Sequence, residues 1–241
     1  MKRYVLIILV ACIGKVSLAQ SEETKTGAYE RTELNATDIA NLNAANPSAV
    51  GFDDRYEGVK GTPLMFEDWI TGDLFLTNKT WIKNLKINLN LYEKSIYYLS
   101  PANDQTLAVS NDKVDEIHVF LDGNALIFRK FLPDQFDKKI DPDQFFELLA
   151  QGEYTFLKLS KKLFKEADYQ GAYSADRRYD EFVLSTSYYL TNNNGLFEKI
   201  KLTEKALCKL FPDQKSRIKE IVKNTGLSEG EEMVLAVLKE L

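Results

Sequence analysis

Residues 80–99, TWIKNLKINLNLYEKSIYYL, set Leu85, Ile87, Leu89 and Leu91 against Lys86, Asn88, Asn90 and Tyr92. A period of two places the two groups on opposite faces of an extended strand. The same period continues through GDLFLT before it and through SIYYL, QTLAV, KVDEIHVFL and ALIFRKFL after it. Asn78 with Lys79 and the PAND stretch read as turns. Asp122, Gly123 and Asn124 predict a tight hairpin, because its turn needs positive φ, which Gly and Asn tolerate. The prediction for 72–132 is a twisted antiparallel β-meander of about six strands, covered on one face.

Beyond it the pattern mixes. Asp141 and Pro142 predict the start of a helix through DQFFELLA that ends at Gly152. YTFLKLSKKLF opens with alternation and favours a strand, although its later part suits a helix equally. EFVLSTSYYL, TNNNG and LFEKIKL predict a second hairpin. Three short helices close the chain. Thr203 caps the first, which carries Ala206, Leu207, Leu210 and Phe211 on one face. Asp213 caps the second, whose stripe is Ile218, Ile221 and Val222 and whose stop is Gly226. Ser228 and Glu231 form a capping box for the third, with Met233, Val234, Val237, Leu238 and Leu241 inward. The expected fold class is α+β, a β-meander followed by a mixed region over 141–241, in one domain spanning 58–241.

Residues 20–57 are polar, rich in Asn and Ala, and without sustained period. They read as a flexible leader with one helical turn near Asp38 to Leu42. The chain opens on Lys2 and Arg3, an apolar run from Tyr4 to Ile13 and a small-residue site at Ser17, Leu18 and Ala19, the three zones of a secretory signal peptide over residues 1–19. Cys12, after Leu9, Val10 and Ala11, offers a competing lipoprotein site, but with only about eight apolar residues ahead of it. The expectation is export to the periplasm, the outer-membrane surface or the exterior. No later apolar run reaches the ~18 residues of a membrane span.

The net charge is −5 with 31 basic and 36 acidic residues, and loss of Lys2, Arg3 and Lys15 would make it more negative. Such a surface argues against general nucleic-acid binding, which depends on phosphate neutralisation. The balance reverses locally: Lys199 to Lys223 holds eight basic residues and three acidic ones. Solvated helix faces explain that, and a patch for an acidic partner or for lipid headgroups is the sharper alternative. Without Cys12, Cys208 stands alone among Leu207, Leu210 and Phe211, so it reads as a small buried residue and no internal disulfide is expected.

The blocks GTPLMFEDWITGDLFL, NLYEKSIYY, FFELLAQGEYTFLKLSKK and KALCKLFPDQKSRIKEIVKNTGLS, in that order, resemble a family of uncharacterised secreted proteins of Bacteroidota-type bacteria. The likeness spans 58–241 and implies an exported α+β protein. It supplies no catalytic residue.

Chemistry is sparse. The single His118 alternates with Ile117 and Val119, and one histidine assembles neither a multi-histidine metal site nor, without a neighbouring nucleophile, a triad. G-x-S-x-G, Walker and G-x-G-x-x-G motifs are absent from the sequence. No catalytic residue, metal ligand or cofactor is assigned. Carboxylates distant in sequence, for instance Glu116 and Glu181, could pair for glycoside hydrolysis. The aromatics lead instead: 12 Tyr, 14 Phe and 2 Trp, with Trp69, Trp81, Tyr92, Tyr97 and Tyr98 crowding the first strands. On an exposed face they suit stacking on sugar rings or packing against an envelope protein; Tyr97 and Tyr98 must diverge. The expected function is non-catalytic binding or an envelope-associated scaffold, with a carboxylate hydrolase of cell-wall or polysaccharide material as the alternative.

Overall fold

The computed structural model describes residues 36–50, 56–167, 179–192 and 194–241. The signal-peptide and lipoprotein expectations fall on residues outside these. Eleven strands pair antiparallel in one sheet: β1 (Ser48–Ala49), β2 (Ile70–Leu76), β3 (Trp81–Asn90), β4 (Ser95–Leu99), β5 (Thr106–Ser110), β6 (Val114–Leu121), β7 (Asn124–Arg129), β8 (Phe146–Ala150), β9 (Phe156–Lys165), β10 (Glu181–Thr191) and β11 (Phe197–Ile200). Their order is β1-β5-β4-β3-β2-β6-β7-β8-β9-β10-β11. The described α-helices are α1 (Ala36–Ala44), α2 (Glu204–Leu210), α3 (Lys215–Thr225) and α4 (Glu231–Glu240), and short 3-10 turns lie at Asn111–Lys113, Pro133–Gln135 and Pro212–Gln214.

The order departs from a simple meander. Strands β2 to β5 follow one another, but β6 returns to the free side of β2, four strand spacings from β5. In a flat sheet that is about 19 Å, and the four Cα steps from Ser110 to Val114 reach at most ~14 Å. The sheet must therefore coil. The turn Asn111–Lys113 shows how: Asn111 N–H donates to Lys94 O (3.3 Å) beyond β3, and Thr77 N–H donates to Lys113 O (3.0 Å) beyond β2. The concave face holds the first core, with Leu74, Ile82, Leu85, Ile87, Ile96, Val109, Ile117 and Val119 almost fully buried. Gly72 lies where β2 approaches its neighbours; a Cβ there would collide with Ile87 Cδ1 and stand 2.8 Å from His118 O.

The leader is partly a correction. Residues 36–50 are not an unstructured arm: α1 contains the turn expected near Asp38 to Leu42 and buries Leu42 in the first core, Ala45 just after it is buried there too, and β1 pairs with β5 through Ser48–Ala108 and Ala49–Leu107. So short a helix is stabilised by docking rather than by its own period, which is why its sequence looks featureless. Tyr56, near the leader's end, packs edge-on against Phe182 (5.0 Å), and residues 20–35 and 51–55 lie outside the described set.

The helix expected from Asp141 to Gly152 is also overturned. Asp143 takes φ 59° in a turn, and FELLA is strand β8. Both of its faces are covered. Phe146 packs with Phe136, Leu157, Leu159 and Phe197 in one core, while Leu149 and Ala150 pack with Phe156, Leu190 and the C-terminal helices in another. A strand apolar on both sides loses its alternation and imitates a helix. By contrast 156–165 is strand throughout, and β10 with β11 forms the expected second hairpin.

The closing helices have the expected inner stripes, including Ile218, Ile221, Met233, Val234 and Val237. Thr203 Oγ1 accepts the Ala206 N–H (3.3 Å) as the α2 cap. Two caps differ. Asp213 sits inside a 3-10 turn, Pro212–Gln214, ahead of α3. Ser228 does not cap α4; Gly230 precedes that helix at φ 99° and donates its N–H to Leu202 O (3.0 Å). Tertiary bonding thus replaces the local box. No described helix is long and apolar enough to cross a membrane.

Candidate functional site

On the convex face, register aligns one residue from each of four neighbouring strands. Trp81 on β3 pairs with Phe75 on β2, Phe75 with Glu116 on β6, and Glu116 with Arg129 on β7. Side chains in such a row stand side by side. The Phe75 and Trp81 rings lie 4.9 Å apart, and Trp81 lies 4.8 Å from the His118 ring. Glu116 occupies both carboxylate oxygens: Oε2 accepts from Arg129 Nε at 2.5 Å, and Oε1 lies 2.6 Å from His118 Nε2. Burial pushes the Glu116 carboxyl up, but the hydrogen bonds and charges of Arg129 and His118 outweigh it and hold it below the usual range.

Beside this row opens a cleft of about 440 Å³, floored by Phe75, Glu116 and Arg129 and walled by Phe131 to Pro133 and Pro142–Asp143. Its cations are already matched. Lys79 reaches Asp115 at 2.7 Å, and Lys130 lies 3.6 Å from Asp143 and 4.0 Å from Asp115. With Arg129 on Glu116, three cations face three carboxylates. The cleft therefore offers many hydrogen-bonding groups with little net field.

Asp73 explains the irregularity next to it. It is the residue left over where β2 and β3 shift register, and its Oδ1 accepts the Asn84 N–H at 2.9 Å, so the carboxylate replaces a missing ladder bond. It is 4% exposed. Burial pushes its pKa up against the opposing Asn84 bond and the Lys83 and His118 charges. That environment makes it a fixture of the bulge.

The five aromatics singled out from the sequence do not share one platform. Trp81 alone belongs to the row. Trp69 precedes β2, at the end opposite to Trp81's partner Phe75, and is half-buried. Tyr92 is exposed and packs edge-on against Phe182 (5.3 Å) and Tyr56 (6.3 Å). The Tyr97 hydroxyl donates to Glu93 (2.9 Å) and accepts from Asn90 Nδ2 (2.9 Å), bracing the β3–β4 turn. Tyr98 is 1% exposed in the first core and is withdrawn from any binding surface; it diverges from Tyr97 as alternation requires.

Glu116 and Glu181 are not brought together. Both Glu116 oxygens are engaged by Arg129 and His118, whereas Glu181 begins β10 opposite Lys165, four strands further along the sheet. Among the described residues no three His, Cys, Asp or Glu side chains converge as metal ligands. Burial raises the Cys208 thiol pKa, so it is a poor nucleophile. Lys205, Lys209, Lys215, Lys219 and Lys223 form solvent faces of α2 and α3.

Sequence reasoning overlooked Phe75, Arg129 and the cleft wall. Phe75 and Arg129 alternate outward in their strands, a visible signal, but only the return of β6 to β2 makes them neighbours. Comparison with protein-family models, curated proteins and solved structures finds no match to this chain; the geometry alone carries the functional argument.

Proposed function

We propose that the protein is an exported, non-catalytic binding protein whose convex sheet face takes a neutral glycan at the cleft beside Trp81. Export rests on the composition of residues 1–19. The observation that carries the ligand class is the cross-strand row Trp81, Phe75, Glu116 and Arg129, the last three of which line a cleft whose charges are internally paired while Trp81 extends the aromatic surface from Phe75. An aromatic face stacks on sugar C–H surfaces, and oriented charged groups hydrogen-bond hydroxyls. Charge balance disfavours an acidic polymer, whose affinity would need unpaired cations.

The hydrolase alternative is weaker. Glu116 is bound by two cation-capable partners and Asp73 is engaged with the β3 backbone, which leaves neither placed to transfer a proton to a substrate oxygen.

The test is a thermal-shift screen of the purified protein against neutral and anionic oligosaccharides. A ligand at ~100 times its dissociation constant adds about 2.7 kcal/mol and moves the midpoint by a few degrees. The expected outcome is a shift with a neutral oligosaccharide, lost on Trp81→Ala and retained on Tyr92→Ala. No shift with any glycan, alongside capture of an envelope protein, would replace this reading with a protein-binding one.

A further inference from the structure

The outer edge of β10 is paired at its two ends only. Tyr188 to Thr191 pair with β11. At the other end Lys60 bridges Glu181: Lys60 O accepts the Phe182 N–H (2.9 Å), and the Lys60 N–H donates to Asp180 O (2.8 Å). Those bonds fix the even-numbered residues of β10 as the ones whose backbone groups point away from β9, because the N–H and C=O of one strand residue share a side. Between the two ends, among the described residues, 183–187 have no strand or bridge on this edge. Leu184 and Thr186 therefore each hold out an N–H and a C=O, and both residues are exposed, Leu184 at 55%.

Native strand edges are blunted by proline, by charge or by a bulge. The stretch VLSTS carries none of these, and β10 keeps continuous register with β9 along it. A regular edge with both flanks occupied is a slot for one short strand. At ~3.4 Å per residue the slot is about 17 Å long. The 11-residue β10 of a second copy would overrun it and collide with β11 or with the Lys60 segment. The fitting occupant is a short extended segment.

The charge around the slot is positive. Lys161 and Lys162 stand one strand behind it, opposite Ser185 and Leu184. Lys60 stands at one end, and Lys199 with Lys201 at the other. Among the described residues none of these five lysines makes an ion pair. Against them stand Glu181 at the Lys60 end and Asp141, the carboxylate facing Lys161, which is already joined to Lys94.

We propose that the β10 edge binds an extended acidic segment of a partner protein by adding it to the sheet in line with β11. The segment gives and takes backbone hydrogen bonds at Leu184 and Thr186. Its residue opposite Ser185 lies on the Lys161 face, where the small serine lets a carboxylate reach the ammonium. The site lies three strands beyond β7, the last strand of the convex row.

Fluorescence anisotropy of the purified protein tests this with a short labelled peptide of alternating aspartate and valine. Its controls are the same peptide with asparagine for aspartate and the same peptide N-methylated at the valines. The acidic peptide binds saturably and more weakly as salt rises; the asparagine peptide binds at least tenfold more weakly, and the N-methylated peptide does not bind. In the protein, Thr186→Pro removes an outward N–H without touching the β9 ladder and abolishes binding, and Lys161→Gln weakens it about fivefold. Should Thr186→Pro fail to fold, the N-methylated peptide makes the same backbone test on the wild-type chain. No saturable binding of the acidic peptide at millimolar concentration, or equal binding of its N-methylated form, overturns the proposal. Binding to phosphatidylglycerol vesicles in place of the peptide would assign the lysines to a lipid surface and overturn it as well.

Discussion

Replacing Lys158 with methionine isolates the polar contact that joins the sheet to the C-terminal helices. Lys158 Nζ on β9 lies 3.6 Å from Glu147 Oε2 on β8 and 3.1 Å from Glu231 Oε1 on α4, and Tyr188 donates its hydroxyl to the same Glu231 oxygen at 2.6 Å. The side chains of Lys158, Glu147 and Glu231 are 24%, 11% and 32% exposed. Breaking a fully buried pair costs about 3–5 kcal/mol and an exposed one about 0–1, so this partly screened site should cost about 2 kcal/mol at neutral pH. Methionine keeps the stem's length and its apolar contacts, which confines the change to the charge.

The pH dependence is the sharper part of the prediction. Burial, with help from the Glu231 charge, raises the Glu147 pKa above its ordinary 4.5 despite Lys158. Wild-type stability therefore declines as pH rises from 4.5 through the folded value, since the folded state holds the proton longer. Without Lys158 the ionised form is still less favourable, so the decline deepens and the gap between variant and wild type opens with rising pH. At the alkaline end burial disfavours the Lys158 charge, but Glu231 and Glu147 outweigh it and raise its pKa above 10.5. Its contribution is full below 10.5 and lost as pH passes the folded value, so the gap closes again. Urea unfolding of both proteins across pH 4 to 11 measures this. A gap below ~0.5 kcal/mol at neutral pH, the level of an ordinary surface change, or a gap that widens on acidification would refute the reasoning.

Three further outcomes follow from the packing. Gly72→Ala should destabilise by about 1–3 kcal/mol through overpacking, because the nearest obstacle beside Ile87 is the His118 carbonyl of the adjoining strand; chemical denaturation checks it. Phe146→Ala should cost about 3–5 kcal/mol, since this fully buried ring stacks on Phe136 at 5.2 Å; a smaller loss in the same assay would mean the third core collapses around the gap. Asp73→Ala strands the Asn84 N–H and should cost about 1–3 kcal/mol at pH 7. Asp73→Asn keeps an acceptor and removes a carboxylate that burial disfavours, so it should equal or exceed wild type at pH 7 and lose that advantage as the pH falls through the raised folded value towards 3.8, where the wild-type carboxyl is protonated first in the folded state.

Local patterning made much of the fold legible. The alternation in 81–90, the Asp122–Gly123 turn with φ 51° and 79°, and the stripes of α2 to α4 all carry their structure in neighbouring residues. What stayed hidden depends on distant partners. FELLA looks helical because different layers cover its two faces; α1 is held by the core it docks on; Gly230 gives its N–H to the distant Leu202 carbonyl while its own carbonyl starts α4. The candidate site shows the same division. Trp81 and His118 stood out as residue types, but a strand pairing that skips three neighbours sets Phe75, Glu116 and Arg129 beside them. Tyr98 shows the converse, an aromatic on a strand that belongs to the core.

Because the chain has only two tryptophans, Trp69→Phe leaves Trp81 as the sole indole emitter. Titrating that variant with the neutral oligosaccharide that most stabilises the protein tests the convex-face site directly. The account predicts a saturable change in Trp81 emission with the same midpoint as the thermal stabilisation and little dependence on salt. Unchanged emission while the oligosaccharide still stabilises the protein would place the binding site elsewhere and contradict it.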